Sequence, residues 1–189
     1  MSYTEITFFA KNGKPKFDVD IRNAWRGAMA IWNILEDRYL PPFIPEWAKH
    51  MGMVKDRHYR MSSSEMADKR AVWDIWKLPQ CSDTDRIVMG STFDWVVVMR
   101  DDVPKLIKAF AEFNGETSLP EQADAIEDAF KDKSIIAVAW NQTSVSENQW
   151  RTFEYDQKRD KAIPYNLKKH TKHWSLFPSI LQPTAIPQP

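Results

Sequence analysis

Glycine and cysteine are both scarce in this chain, with five glycines and one cysteine among 189 residues. None of the glycines cluster, so no glycine-rich phosphate loop can be drawn anywhere along it. The lone Cys81 excludes an intramolecular disulfide framework and points to a reducing compartment. Net charge is missing as well. Twenty-six Lys and Arg balance twenty-six Asp and Glu, so no global field draws the chain to nucleic acid or to a membrane surface. No apolar segment approaches the roughly 18 residues a membrane helix needs. The start, Met1-Ser2-Tyr3-Thr4-Glu5, shows no basic region ahead of an apolar core. These absences predict a cytoplasmic protein with no membrane association and no nucleic-acid partner.

Catalytic sets are absent in the same way. There is no nucleophile-elbow serine, no His-Glu-x-x-His and no paired cysteines. His170-x-x-His173 is the one close histidine pair, and nothing in the sequence supplies a third ligand. His50 and His58 are eight apart across Gly52 and read as solvent-facing. Cys81 precedes a helix start, a position that lowers a thiol pKa, but no base stands near it in sequence. Neither a metal nor a cofactor is expected, and the chain reads as a non-enzyme.

What is present is a core. The chain is 43% hydrophobic and carries nine tryptophans, a composition of globular rather than disordered proteins. Residues 1–177 read as a single globular domain. Pro178, Pro183, Pro187 and Pro189 mark 178–189 as a proline-rich tail.

Periodicity then places the elements. Residues 3–9 read as a strand, Asn12-Gly13 as a hairpin turn, and 16–20 as a short return strand at an edge because of Pro15. Trp25, Ala28, Trp32, Leu35 and Tyr39 fall on one face of a helix predicted over 21–40, where they form a core stripe. Pro45-Glu46-Trp47 begins a short helix. Ser62-Ser63-Ser64 offers N-caps for a helix to Lys77, and Ser82-Asp83-Thr84-Asp85 caps another ending near Gly90. Trp150, Phe153 and Tyr155 read as one more strand, followed by a charged turn over 157–161.

The centre of the chain is 93–144. Val96-Val97-Val98-Met99 and Ile135-Ile136-Ala137-Val138-Ala139-Trp140 are apolar without alternation, the pattern of strands covered on both faces. The 35 residues from Arg100 to Ser134 hold two helical patterns, opened by Val103-Pro104 and by Leu119-Pro120. That length suits a crossover, which predicts parallel neighbouring strands. The expected fold is α+β or α/β: a small mixed sheet of four to five strands with a parallel central pair, packed by five to seven helices.

Parallel strands would bring their carboxyl ends together, where open α/β sheets gather ligands. The residues placed there are Arg100, Asp101 and Asp102 after the first strand, and Asn141, Gln142, Thr143 and Ser144 after the second. An arginine fork, carboxylates and amides at one edge suit a phosphorylated or nucleotide-like small molecule. A second candidate is the segment 165–174. Tyr165, Lys168, Lys169, Lys172 and Trp174 interleave basic and aromatic side chains, a pattern that docks proteins or single-stranded nucleic acid.

Local charge is uneven. Residues 101–132 contain nine acids and three bases, while 151–173 contain seven bases and three acids. A well-built core, no catalytic set and segments of opposite charge predict a protein-interaction module. Such a module acts as a regulator or inhibitor by occluding a surface of a larger partner, and one carried by a mobile genetic element fits that description. The alternative is a small-molecule-binding domain or enzyme working at the sheet's carboxyl edge.

Overall fold

A computed structural model describes residues 3–40, 72–142 and 147–180. The chain opens on a hairpin. Strands β1 (Tyr3–Ala10) and β2 (Pro15–Arg22) pair antiparallel from Tyr3↔Arg22 to Phe9↔Pro15. Gly13, at φ 80°, makes the turn that Asn12-Gly13 predicts and donates its N–H to Ala10 O at 2.8 Å. Pro15 begins the edge strand, where a missing ladder donor costs least.

Five strands form a mixed sheet in the order β2-β1-β4-β3-β7. β3 spans Val96–Met99, β4 Ile135–Asn141, and the two-residue β7 Trp174–Ser175. A separate two-stranded ribbon holds β5 (Glu154–Asp156) and β6 (Lys161–Ile163). Six α-helices lie among the described residues: α1 (Ala28–Tyr39), α2 (Val72–Lys77), α3 (Asp83–Gly90), α4 (Val103–Glu112), α5 (Leu119–Phe130) and α6 (Leu176–Ile180). The fold is α+β, with one parallel strand pair.

That pair is not the expected one. β3 and β4 are neighbours in the sheet, but they run antiparallel, with Val97 opposite Ala139 and Met99 opposite Ala137. The parallel pair is β3 with β7, Val96 opposite Trp174. Helix parity explains the difference. α4 and α5 have 10 and 12 residues, roughly 15 and 18 Å at about 1.5 Å per residue. The first carries the chain back along the sheet and the second carries it forward again. The chain therefore re-enters the sheet at the end it left, where one helix would have produced a parallel crossover.

The first helix is also shorter than its periodicity predicts. β2 continues to Arg22 because its register with β1 is unbroken to Tyr3. Ala24 and Trp25 then take positive φ of 44° and 72°, which no right-handed helix contains. α1 begins only at Ala28, burying Ile31, Leu35 and Glu36. Trp25 is thus off the helix and outside the core. The strand expected around Trp150 is a turn, with β5 starting four residues later. The readings at Pro45, at His50 and His58, and at the Ser62 caps lie outside the described residues.

Both faces of the sheet are covered, as the unalternating runs predict. On one face Ile6, Phe8, Val96, Val98, Val138 and Trp140 pack among the helices. On the other, Phe9, Val97, Ala137 and Ala139 meet Trp150 and Tyr165. The two alanines of β4 leave room for those large rings. Trp150 Nε1 donates to Trp140 O at 2.9 Å, so the indole is both packed and satisfied. The helical layer is pinned by buried polar clamps. Arg86 donates to Trp76 O and Leu78 O at the end of α2 (3.0 and 2.8 Å), and Asp85 accepts from Arg38 and Tyr39 of α1. α6 crosses the predicted tail boundary, since Pro178 is inside it and Ile180 is buried at its end.

Arg100 closes the β3–α4–α5–β4 unit. Its Nε donates to Ile135 O at 2.6 Å, and its two terminal nitrogens to Phe130 O at 3.2 Å and Asp132 O at 2.5 Å. The guanidinium also lies 4.8 Å from the Phe130 ring centroid. One side chain thereby ties carbonyls of the last residue of α5, the following turn and the first residue of β4 together. Arg100→Ala should lower stability by about 2–3 kcal/mol in urea denaturation, because charged hydrogen bonds between α5, its turn and β4 are lost. Arg100→Lys should recover only part of that, having no planar fork. Equal midpoints for wild type and alanine variant would show that water replaces the clamp without cost.

Candidate functional site

Antiparallel β3 and β4 split the expected edge site in two. Arg100, Asp101 and Asp102 follow β3 at one end of the sheet, beside the start of β4. Asn141 and Gln142 finish β4 at the other, roughly 13 Å away along a four-residue strand. Thr143 and Ser144 lie outside the described residues. Arg100 is committed to three carbonyls, and Asp102 pairs with Lys105 at 2.8 Å. Asp101 is exposed. The two groups therefore share no single strand-end edge.

The Asn141–Gln142 end is built around a different feature. Gln142 Nε2 donates to Ser91 O at 2.7 Å, and its backbone N–H to Asp94 Oδ1 at 2.8 Å. Burial pushes the Asp94 carboxyl above its ordinary range, against the lowering effect of the Gln142 N–H and the Gln149 side chain. Asn141 Nδ2 donates to Glu5 Oε2 at 3.0 Å. Thr4 Oγ1 lies 2.9 Å from Gln142 Oε1 and 3.0 Å from Asn23 Oδ1, and Ser118 Oγ lies 3.3 Å from the same Asn23 atom. One threonine hydroxyl carries one proton. It is shared between the two amide oxygens, while Ser118 Oγ donates to Asn23 Oδ1 and accepts from Gln122 Nε2 at 3.1 Å.

Asn23 is the base of the loop that joins β2 to α1. Its side chain is buried, and a Cβ on Gly27 would come within 2.5 Å of it, so glycine is required there by close approach. Ser118 donates its N–H to Arg26 O at 2.8 Å, and Arg26 Nη1 pairs with Glu121 Oε1 at 2.6 Å. The loop is tied down on three sides. At its tip Trp25 is 97% exposed. Met29, one helical turn on, is 46% exposed, and Tyr3, opposite Arg22 in the hairpin register, is 39% exposed.

The ring of Trp25 does not offset its backbone strain; the turn is held by the Arg26 N–H donating to Asn23 O at 2.7 Å. A left-handed non-glycine residue costs about 1–3 kcal/mol. Trp95 is in the same conformation, φ 65°, but its ring packs against Trp150 at 5.0 Å and Tyr165 at 5.5 Å, with Lys172 Nζ 4.1 Å from its centroid. Packing offsets the cost at Trp95. The indole of Trp25 is held out in solvent instead.

The basic aromatic segment is largely interior. Tyr165 is fully buried, and Trp174 is half-buried in β7 against Trp76, 6.1 Å between ring centroids. Trp174 N–H donates to Trp95 O at 3.0 Å. Of the residues singled out in this segment, Lys168, Lys169 and Lys172 are exposed. Tyr165 holds the back layer of the sheet and Trp174 packs on the helical face, so neither ring is offered to a partner.

Two other places were visible in sequence or shape. Burial pushes the Cys81 thiol up to about 11, so the helix start beside it does not make it a nucleophile. A groove of about 530 Å3 opens between α3, α4 and α6, with Ile87, Ala109 and Phe177 in its lining. Its charges satisfy one another: Lys105 pairs with Asp102, and Glu112 with Lys108 at 3.7 Å. Among the described residues no three His, Cys, Asp or Glu converge to hold a metal ion.

Tyr165 and His173 make the back layer sensitive to acid. His173 Nδ1 is 2.8 Å from Tyr165 Oη, which also accepts the His173 N–H at 3.1 Å. Burial lowers the His173 pKa, so the folded state resists the proton that the unfolded chain accepts near pH 6.5. Stability from this group is complete above about pH 6.5 and is lost as pH falls from there toward the folded value. Urea denaturation from pH 7.5 to 5.5 should show a steeper loss for wild type than for His173→Gln. Parallel curves would exclude His173 as the source.

No family model, no curated protein and no solved structure matches this chain. Its function is therefore read from the geometry of its own residues.

Proposed function

We propose that the protein is an interaction module that occludes a surface of a larger protein, with the Trp25 loop as its anchor. The observation that carries this is one residue, a tryptophan 97% exposed in a left-handed backbone that nothing around its ring stabilises. Tryptophan is enriched among the few residues that dominate protein–protein affinity. A loop already rigid before contact loses less entropy on docking. Met29, at the start of α1, and Tyr3, paired with Arg22 at the end of β2, are also exposed. A regulator or inhibitor of this kind needs no catalytic residues. The small-molecule reading has less support, since Arg100, its anion-binding group, is occupied by main-chain carbonyls.

Trp25→Gly separates stability from binding. Glycine takes positive φ without strain, and no packing is lost with the ring, so the variant should be as stable as wild type or up to about 1 kcal/mol more stable. Binding should fall by about 30-fold or more, the effect of losing a contact worth at least about 2 kcal/mol. The comparison is capture from cell extract on immobilised wild type and variant, followed by titration of the captured protein against each. A stoichiometric partner held by wild type and released by the variant supports the reading. The same proteins held equally by both would end it.

A further inference from the structure

The end of the sheet opposite Trp25 has a different chemistry. Three turns meet there through main-chain hydrogen bonds. Lys11 N–H in the first hairpin turn donates to Ser134 O at 3.1 Å, in the turn between α5 and β4. Leu167 N–H donates to Gly13 O at 2.9 Å, and Asn166 Nδ2 to Asn12 O at 3.3 Å. Asn166 Oδ1 accepts from Lys168 N at 2.9 Å and folds the third turn back on itself. The three segments 10–16, 131–134 and 166–170 contain seven lysines and one aspartate.

Most of that charge is uncompensated. Lys16 takes the one aspartate, Asp132, and Lys131 pairs with Asp128. Lys11, Lys14, Lys133, Lys168 and Lys169 are all exposed. None of the five forms an ion pair within 4.0 Å among the described residues. Like charges repel, so five of them on turns bonded to one another raise the energy of the free protein. An anionic partner relieves that repulsion.

We infer that this lysine pole is a sequence-independent binding site for the phosphate backbone of double-helical nucleic acid. Two observations select that class. None of the large exposed hydrophobics (Tyr3, Trp25, Met29, Met99, Tyr155 and Ile163) lies on the three turns, so a protein partner would find no apolar anchor there. Exposed ion pairs alone contribute little to protein docking. A duplex is different, because displaced counterions supply affinity from charge alone. Unpaired bases need exposed aromatic rings to stack on, and Tyr165 and Trp174 are turned inward. The neutral total charge of the chain is no obstacle, since the fold gathers these five lysines at one end while acids such as Asp124 stand exposed on α5 outside the three turns.

Fluorescence anisotropy of the full chain with a labelled 20-base-pair duplex of arbitrary sequence tests this. Five phosphate contacts predict a log–log salt slope of roughly −4.5, about a 500-fold loss of affinity between 50 and 200 mM salt. Changing Lys11, Lys168 and Lys169 to Gln should reduce the slope to roughly −1.8 with a melting temperature that is unchanged or slightly raised. Lys158→Gln with Lys161→Gln, off the three turns, should leave it unaltered. A single strand of equal length should bind more weakly than the duplex. No binding at 50 mM salt would overturn the inference, as would a slope that follows the Lys158 and Lys161 changes instead. Tighter binding of the single strand would overturn the duplex assignment. Equal binding of polyglutamate at matched charge would reassign the pole to acidic proteins.

Discussion

Burial of β3 and β4 on both faces is the constraint on which the rest of this structure depends. Their side chains are apolar in both directions, so neither face can be left to water. Helices cover one side and the 147–174 segment covers the other. Covering the second face uses Trp150 and Tyr165, and it fixes where their polar atoms go: Trp150 to a carbonyl of β4, Tyr165 to His173. The acid sensitivity of the back layer is a consequence of that choice. A histidine that must remain neutral is the partner of the ring that seals the sheet.

The two strained tryptophans show how the same backbone cost serves different ends. Trp95 turns left-handed immediately before β3, and its ring enters the back layer, where aromatic edges and Lys172 hold it. Trp25 turns left-handed just after β2, and its ring enters nothing. Beneath it, Asn23, Thr4, Gln142 and Ser118 form a buried hydrogen-bond network whose effect is to keep the loop in place. A polar network of this kind is costly when partly satisfied and rigid when complete. Rigidity at an exposed apolar residue favours recognition over packing.

The hairpin separates two surfaces. β1 has eight residues, so roughly 26 Å lies between the Trp25 loop and the lysine turns. One surface is apolar and strained, the other hydrophilic and unpaired in charge. Each offers a partner a different physical term, desolvation at one end and counterion displacement at the other.

Local composition was enough to read much of this chain. The Asn12-Gly13 hairpin, the two buried strands, the helices opened by Val103-Pro104 and Leu119-Pro120, and the Ser82 cap follow from propensities acting over a few residues. So did the α+β class and the helix count. Tertiary structure alone decided three things. Strand direction depended on whether α4 and α5 each traverse the sheet, a parity that periodicity does not encode. That parity separated Arg100 from Gln142 and dissolved the expected edge site. Trp25 fits a helical stripe by spacing, yet the register of β2 with β1 runs on to Arg22 and the loop after it turns left-handed, so a predicted core residue became the most exposed aromatic ring described. Lys11, Lys133 and Lys168 are far apart in the chain and unremarkable singly. Their meeting is a product of long-range backbone hydrogen bonds, which no local pattern of side chains can announce.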